Sequence, residues 1–188
     1  MVFAIRLGVL LLVSVSCARA ELHFNFQIQE TDMDGVKLRQ LVFADGPERV
    51  KYSPPRGWQY FGDEDRLRLT PPSGQTGEAI VSRVKLLQPQ AFDESTVKRL
   101  TTEVLASAPP GATRVTLSSQ QKNPLLIEGK ETLLVIISFE LFGTPQSRSV
   151  MFLNRQGEQI RFQLTCPQVA FTQLQSQFLG SHFSWQNL

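Results

Sequence analysis

Five consecutive apolar residues, Leu133-Leu134-Val135-Ile136-Ile137, constrain this chain more than any other segment. Successive side chains of a strand point to opposite faces, so a run that is apolar on both parities needs cover on both sides. Val150-Met151-Phe152-Leu153 repeats the pattern. Two such strands require one layer above the sheet and another below it. The longer run, Leu133 to Phe142, carries Ser138 and Glu140 and is too short to cross a bilayer, so it reads as a strand.

Two helices are available as covers. Asp93 is a suitable N-cap, Glu94 suits the positive end of the helix dipole, and Pro109-Pro110-Gly111 stops the segment, which predicts a helix over 93–108. Val97, Leu100, Val104, Leu105 and Ala108 fall on one apolar stripe of it. Pro167 opens a second helix over 168–180, with Phe171, Leu174 and Phe178 on one side and Gly180 near its end.

The rest reads as strands. Leu22 to Gln29 alternates apolar and polar, Glu30 to Gly35 turns, and Val36 to Phe43 returns. Arg49 to Tyr52 is a short extended piece before Ser53-Pro54-Pro55-Arg56-Gly57-Trp58, where regular structure is blocked. Arg66 to Thr70 and Ala79 to Leu87 form a pair around the turn at 71–77. Thr113 to Gln120, Thr132 to Phe142, Arg148 to Leu153 and Gln159 to Thr165 follow the first helix. Most of these connections are too short for a parallel crossover. The expected class is α+β: an α/β/α sandwich on a mainly antiparallel sheet covered by a helix on each face.

Met1 to Ala20 has the order of a secretory signal: one cation, an apolar core from Leu7 to Val15, then Ala18-Arg19-Ala20. The expected cleavage lies between Ala20 and Glu21. A rival reading lipidates Cys17, but Ser14-Val15-Ser16 lacks the leucine that a lipobox wants. Of 188 residues with 19 basic and 17 acidic side chains, cleavage removes Arg6 and Arg19 and leaves the charges balanced. It also leaves Cys166 as the one cysteine, so an internal disulfide is excluded. The remainder, residues 21–188, is expected to be a single domain with the 22–43 hairpin as an extension or as its first strands. Balanced charge argues against nucleic acid as a partner. No further apolar stretch reads as a transmembrane segment.

Pro55-Arg56-Gly57-Trp58, the 93–108 helix, the antiparallel run and then Leu164-Thr165-Cys166-Pro167 with Phe171, Phe178 and Ser181-His182-Phe183 resemble the PsbP-like and Mog-like superfamily. The resemblance covers Val50 to Trp185. It implies an antiparallel sheet between helical layers and a binding role, since characterised members are a lumenal photosystem subunit, a small-GTPase partner and exported bacterial lipoproteins. It supplies no active site to carry over.

The residues themselves offer little chemistry. His23 and His182 are the only histidines, neither sits in a nucleophile motif, and both read as partly exposed polar residues. Two histidines and a cysteine at no ligand spacing make no zinc site. Asp32-Met33-Asp34-Gly35 and Asp63-Glu64-Asp65 offer two or three carboxylates each and read as solvated turns rather than calcium loops. Trp58 is expected to cap the core. Cys166 is a candidate reactive thiol because it precedes a helix start, although a small hydrophobe ending a strand explains it better.

The expectation is an exported, non-catalytic binding protein without a cofactor or metal, engaging an unidentified protein or envelope component. The alternative is a carrier of an apolar or amphipathic small molecule between sheet and helix, lined by Phe61, Phe92 and Phe139. Arg66, Arg68, Arg83 and Lys85 form the candidate partner-contact face, on the expectation that all four project from one side of a two-stranded ribbon.

Overall fold

Alternation and turn chemistry divide the chain into β1 (Leu22–Met33), β2 (Val36–Asp45), β3 (Glu48–Tyr52), β4 (Gln59–Gly62), β5 (Arg66–Thr70), β6 (Glu78–Lys85), α1 (Glu94–Ala106), β7 (Ala112–Lys122), β8 (Thr132–Leu141), β9 (Thr144–Arg155), β10 (Glu158–Pro167), α2 (Gln168–His182) and β11 (Gln186–Asn187). The computed structural model describes residues 22–33, 36–88, 90–155 and 157–188. The signal segment with Cys17, Ala20 and Glu21, and the turn at Asp34-Gly35, lie outside the described residues.

The chain is α+β and its strands pair antiparallel. A seven-stranded sheet has the order β4-β5-β6-β10-β9-β8-β7. A separate four-stranded sheet, β1-β2-β3-β11, differs from the expectation of one sheet. The both-parity run in β8 is buried as its pattern demands. Leu133, Val135, Ile137 and Phe139 pack with Leu100 and Val104 of α1 and with Val150 and Phe152 of β9. Leu134, Met151 and Leu153 join the other cluster, with Ile160, Phe162, Leu164 and the α2 residues Leu174 and Phe178.

The four-stranded sheet shares that second cluster through Phe24, Phe43 and Tyr52. Trp185, wholly buried, joins the pieces. Its ring lies 5.2 Å from Phe162 edge-on, 5.9 Å from Tyr52 and 6.0 Å from Phe43. One side of the large sheet is therefore lined by α2 together with a second sheet. On the other side α1 packs on β7 and β8, with Val150 and Phe152 of β9 in the same cluster.

Asp93 caps α1 by accepting the Thr96 amide at 2.7 Å and the Ser95 hydroxyl at 2.9 Å. The Thr96 amide is the main reason its carboxyl sits below the ordinary aspartate value. At the other end, Arg148 of β9 donates to the Ser107 carbonyl and to its hydroxyl, and its Nε donates to Thr165 Oγ1 at 2.9 Å. Arg148 is 8% exposed, and burial lowers its pKa from the usual arginine value. This cation meets the negative end of the helix dipole and ties α1 to the sheet. Arg148→Met is expected to destabilise the fold by about 2 kcal/mol, the scale of hydrogen bonds to a charged donor. Equilibrium denaturation checks this, and a midpoint equal to that of the parent protein would refute it.

Candidate functional site

The face of the large sheet beside α1 is not fully covered, because α1 packs toward the β7 end. Beside it runs a half-open groove of about 430 Å³. Ile80 and Ser82 of β6, Gln163 of β10 and Val150 of β9 line it, with Glu103 of α1 on one bank and Arg66 of β5 on the other. The pleat explains this lining. Arg161 stands opposite both Ser82 and Phe152, and Gln163 stands opposite Ile80 and Val150, so these residues share a face.

Arg161 is the central charge. Its guanidinium lies 5.4 Å from the centre of the Phe152 ring, donates from Nη1 to Glu103, and donates from Nε to Gln159 Oε1 at 3.1 Å. Glu103 also lies 3.8 Å from Arg99 one turn earlier. The carboxylate is thus held between two arginines and acts as an anchor for them. At the bank, Arg66 lies 3.7 Å from Asp63, and Arg68 lies 3.6 Å from Glu78. These exposed pairs restrain the cations weakly and leave them open to a partner.

The register corrects the ribbon expectation. Arg66 pairs with Ser82 and Arg68 with Ile80, so these two cations share the groove side. Arg83 pairs with Ile160, a core residue, and with Lys85 takes the alternate parity. The four cations do not project from one face, although Arg83 also borders the groove. A one-residue offset reverses every side chain of a strand, and the turn length sets that offset.

The aromatic trio of the carrier reading is also dispersed. Phe92 and Phe139 are buried in the α1 cluster, whereas Phe61 is 66% exposed on β4. Cys166 is 2% exposed and burial pushes its thiol up to about 11, opposite to what a helix start would do. It packs as a small apolar residue. Asp63 accepts the amides of Asp65 and Arg66 at 2.9 Å each, and the Asp65 amide chiefly lowers its pKa; the cluster serves its own turn. Trp58 does cap the core, stacked on Phe178 at 6.2 Å with its indole N–H donating to Gln177 at 3.1 Å.

The two histidines part company. His23 is partly exposed, 3.7 Å from Glu64. His182 is 1% exposed, held 4.2 Å from Phe162 and 4.5 Å from Phe178, centroid to centroid. Burial lowers its pKa to about 3. Sequence reasoning missed this placement, yet a signal was present: Leu174, Phe178 and His182 recur every four residues along one side of α2.

No family model matches this chain, and no curated protein matches it. Solved structures do share its fold. The cyanobacterial PsbP (CyanoP) of Synechocystis aligns with a TM-score of 0.53 at 13% identity, over 96% of this chain and 98% of its own. A protein of unknown function from Pseudomonas aeruginosa aligns with a TM-score of 0.50 at 15% identity, over 84% of this chain and 94% of its own. At such identities the likeness establishes a PsbP-like fold and nothing about activity. Among the described residues, no helix is long and apolar enough to cross a membrane.

Proposed function

We propose that this chain is an exported, non-catalytic binding protein that engages a macromolecular partner along the groove beside α1. The observation that carries the reading is the uncovered strip of sheet, whose lining mixes strand hydroxyl, amide and apolar groups with the arginines Arg66 and Arg161. A mixed, half-open lining suits the polar surface of a protein or envelope component better than an enclosed apolar ligand. Balanced charge after signal cleavage favours such a partner over nucleic acid. Export rests on the signal pattern of residues 1–20. The Mog-like part of the resemblance belongs to the same proposal, as does the sandwich with a helix on either side of the large sheet. The contacts of α1 and α2 with opposite parities of the central strands support that layering.

Arg66→Glu combined with Arg68→Glu reverses two exposed cations on the groove side. Photo-crosslinking from Gln163 in the envelope fraction should yield roughly fivefold less adduct for this pair at low salt, with a smaller difference at moderate salt. Ser82→Phe, which fills the floor, should abolish the adduct at both. Undiminished adduct from both variants would remove the groove as the contact. Robust turnover of any substrate by the pure protein, abolished by one point mutation, would overturn the non-catalytic reading.

A further inference from the structure

The segment Pro55-Arg56-Gly57-Trp58 does more than enter the sheet. The Trp58 amide donates to the Pro55 carbonyl at 3.2 Å, and Gly57 has φ +81°, so the four residues form a tight turn with glycine at the position that needs a left-handed backbone. The preceding Ser53 is tied to the chain end, its amide donating to Ser184 Oγ at 2.7 Å. On the far side Trp58 is locked by Phe178 and Gln177. This rigid turn places Arg56 at its corner, exposed and with no ion-pair or hydrogen-bond partner among the described residues.

Below the corner lies a cleft of about 350 Å³ between the turn and β2, away from the groove beside α1. Pro55, Trp58 and Tyr60 give it apolar walls, and Arg39, Arg56 and Ser53 line it as well. Glu30 accepts from Arg39 Nε at 2.8 Å and Tyr60 takes a further contact from the same guanidinium, which leaves part of its donor fork for a ligand. The cleft thus has two cations against one carboxylate, flat apolar walls and room for one small organic molecule.

We propose that this cleft binds a small amphipathic carboxylate, its anionic end on Arg56 and Arg39 and its flat apolar body against Pro55, Trp58 and Tyr60. Planar guanidinium forks match a carboxylate better than a spherical or isolated ion, and the walls would be idle for an inorganic anion. The site is independent of the groove reading. It differs from the expected carrier pocket, which lay between a helix and the sheet.

The test titrates the full chain with 3-phenylpropionate, its neutral amide and inorganic phosphate, followed by amide and indole proton shifts. Saturable shifts confined to Arg39, Ser53 to Trp58 and Tyr60 are expected with the carboxylate alone. Arg56→Gln should weaken binding roughly tenfold, Arg56→Lys should restore part of it, and Arg39→Gln should weaken it as well. Equal binding of the neutral amide, equal binding of phosphate, shifts scattered over the surface, or an unchanged affinity in Arg56→Gln would each overturn the proposal. So would no shift at all.

Discussion

Gly62→Ala is expected to destabilise this protein by about 3 kcal/mol, the upper end of what an added methyl costs in a packed site. A Cβ at position 62 would lie 2.1 Å from the carbonyl oxygen of Phe24 and 2.9 Å from the Phe26 ring. The first neighbour is backbone and cannot swing aside. Here β1 passes directly over the end of β4, and the Phe24 amide donates to the Glu64 carbonyl at 3.4 Å. The Phe26 ring then packs edge-on to Tyr60 at 5.4 Å and to Phe43 at 6.3 Å, joining the two sheets. Making room for one methyl means separating that joint. Gly180→Ala is the matched control, because its Cβ meets nothing within 4 Å and it lies inside α2. That substitution should stabilise by about 0.5–1 kcal/mol, since alanine is the better helix former. Paired urea titrations read both. A Gly62→Ala midpoint indistinguishable from the parent would mean that the sheets do not touch there.

How much of this was legible in the sequence depended on whether the signal was local. The β8 run reported its two buried faces because both parities are apolar within five residues. The helix α1 announced itself through Asp93 and the proline stop. β4 did not, since Gln59-Tyr60-Phe61-Gly62 is four residues without alternation and is a strand only because β5 pairs with it. The division into two sheets was equally hidden. Alternation says which side chains are inward, not which sheet a strand joins. The cation face failed for a related reason: within β5 and within β6 the alternation was right, but their mutual register is a property of the turn between them. The arginine–carboxylate contacts in the groove, such as Arg161 with Glu103, join residues far apart in sequence and leave no periodic trace.

The stability of the protein is expected to fall steeply with acid well before its carboxylates titrate, and His182 is the reason. Its folded pKa is about 3, against about 6.5 in an unfolded chain. Neither state binds the proton above pH ~6.5, so the residue adds no pH dependence there. Below that the unfolded chain takes up a proton that the native ring refuses, and stability drops by roughly 1.4 kcal/mol per pH unit until the folded value is reached. Between pH 6 and pH 3 the loss is on the order of 3 kcal/mol, a large share of a typical domain's total. Asp63 and Asp93 also have lowered values, but their contribution disappears only as pH falls below the ordinary aspartate range. The interval between pH 6 and pH 4.5 therefore isolates the histidine. Neither ring nitrogen of His182 has a hydrogen-bond partner among the described residues. His182→Leu therefore removes no bond and keeps apolar contact with Phe162 and Phe178. The variant should match the parent protein or exceed it near pH 7 and lose little stability down to pH 4.5, while the parent falls. Subtracting the two profiles cancels every group that variant and parent share. Parallel curves for variant and parent across that interval would show that the imidazole of the native state is protonated in place, and that the aromatic cage is open to water.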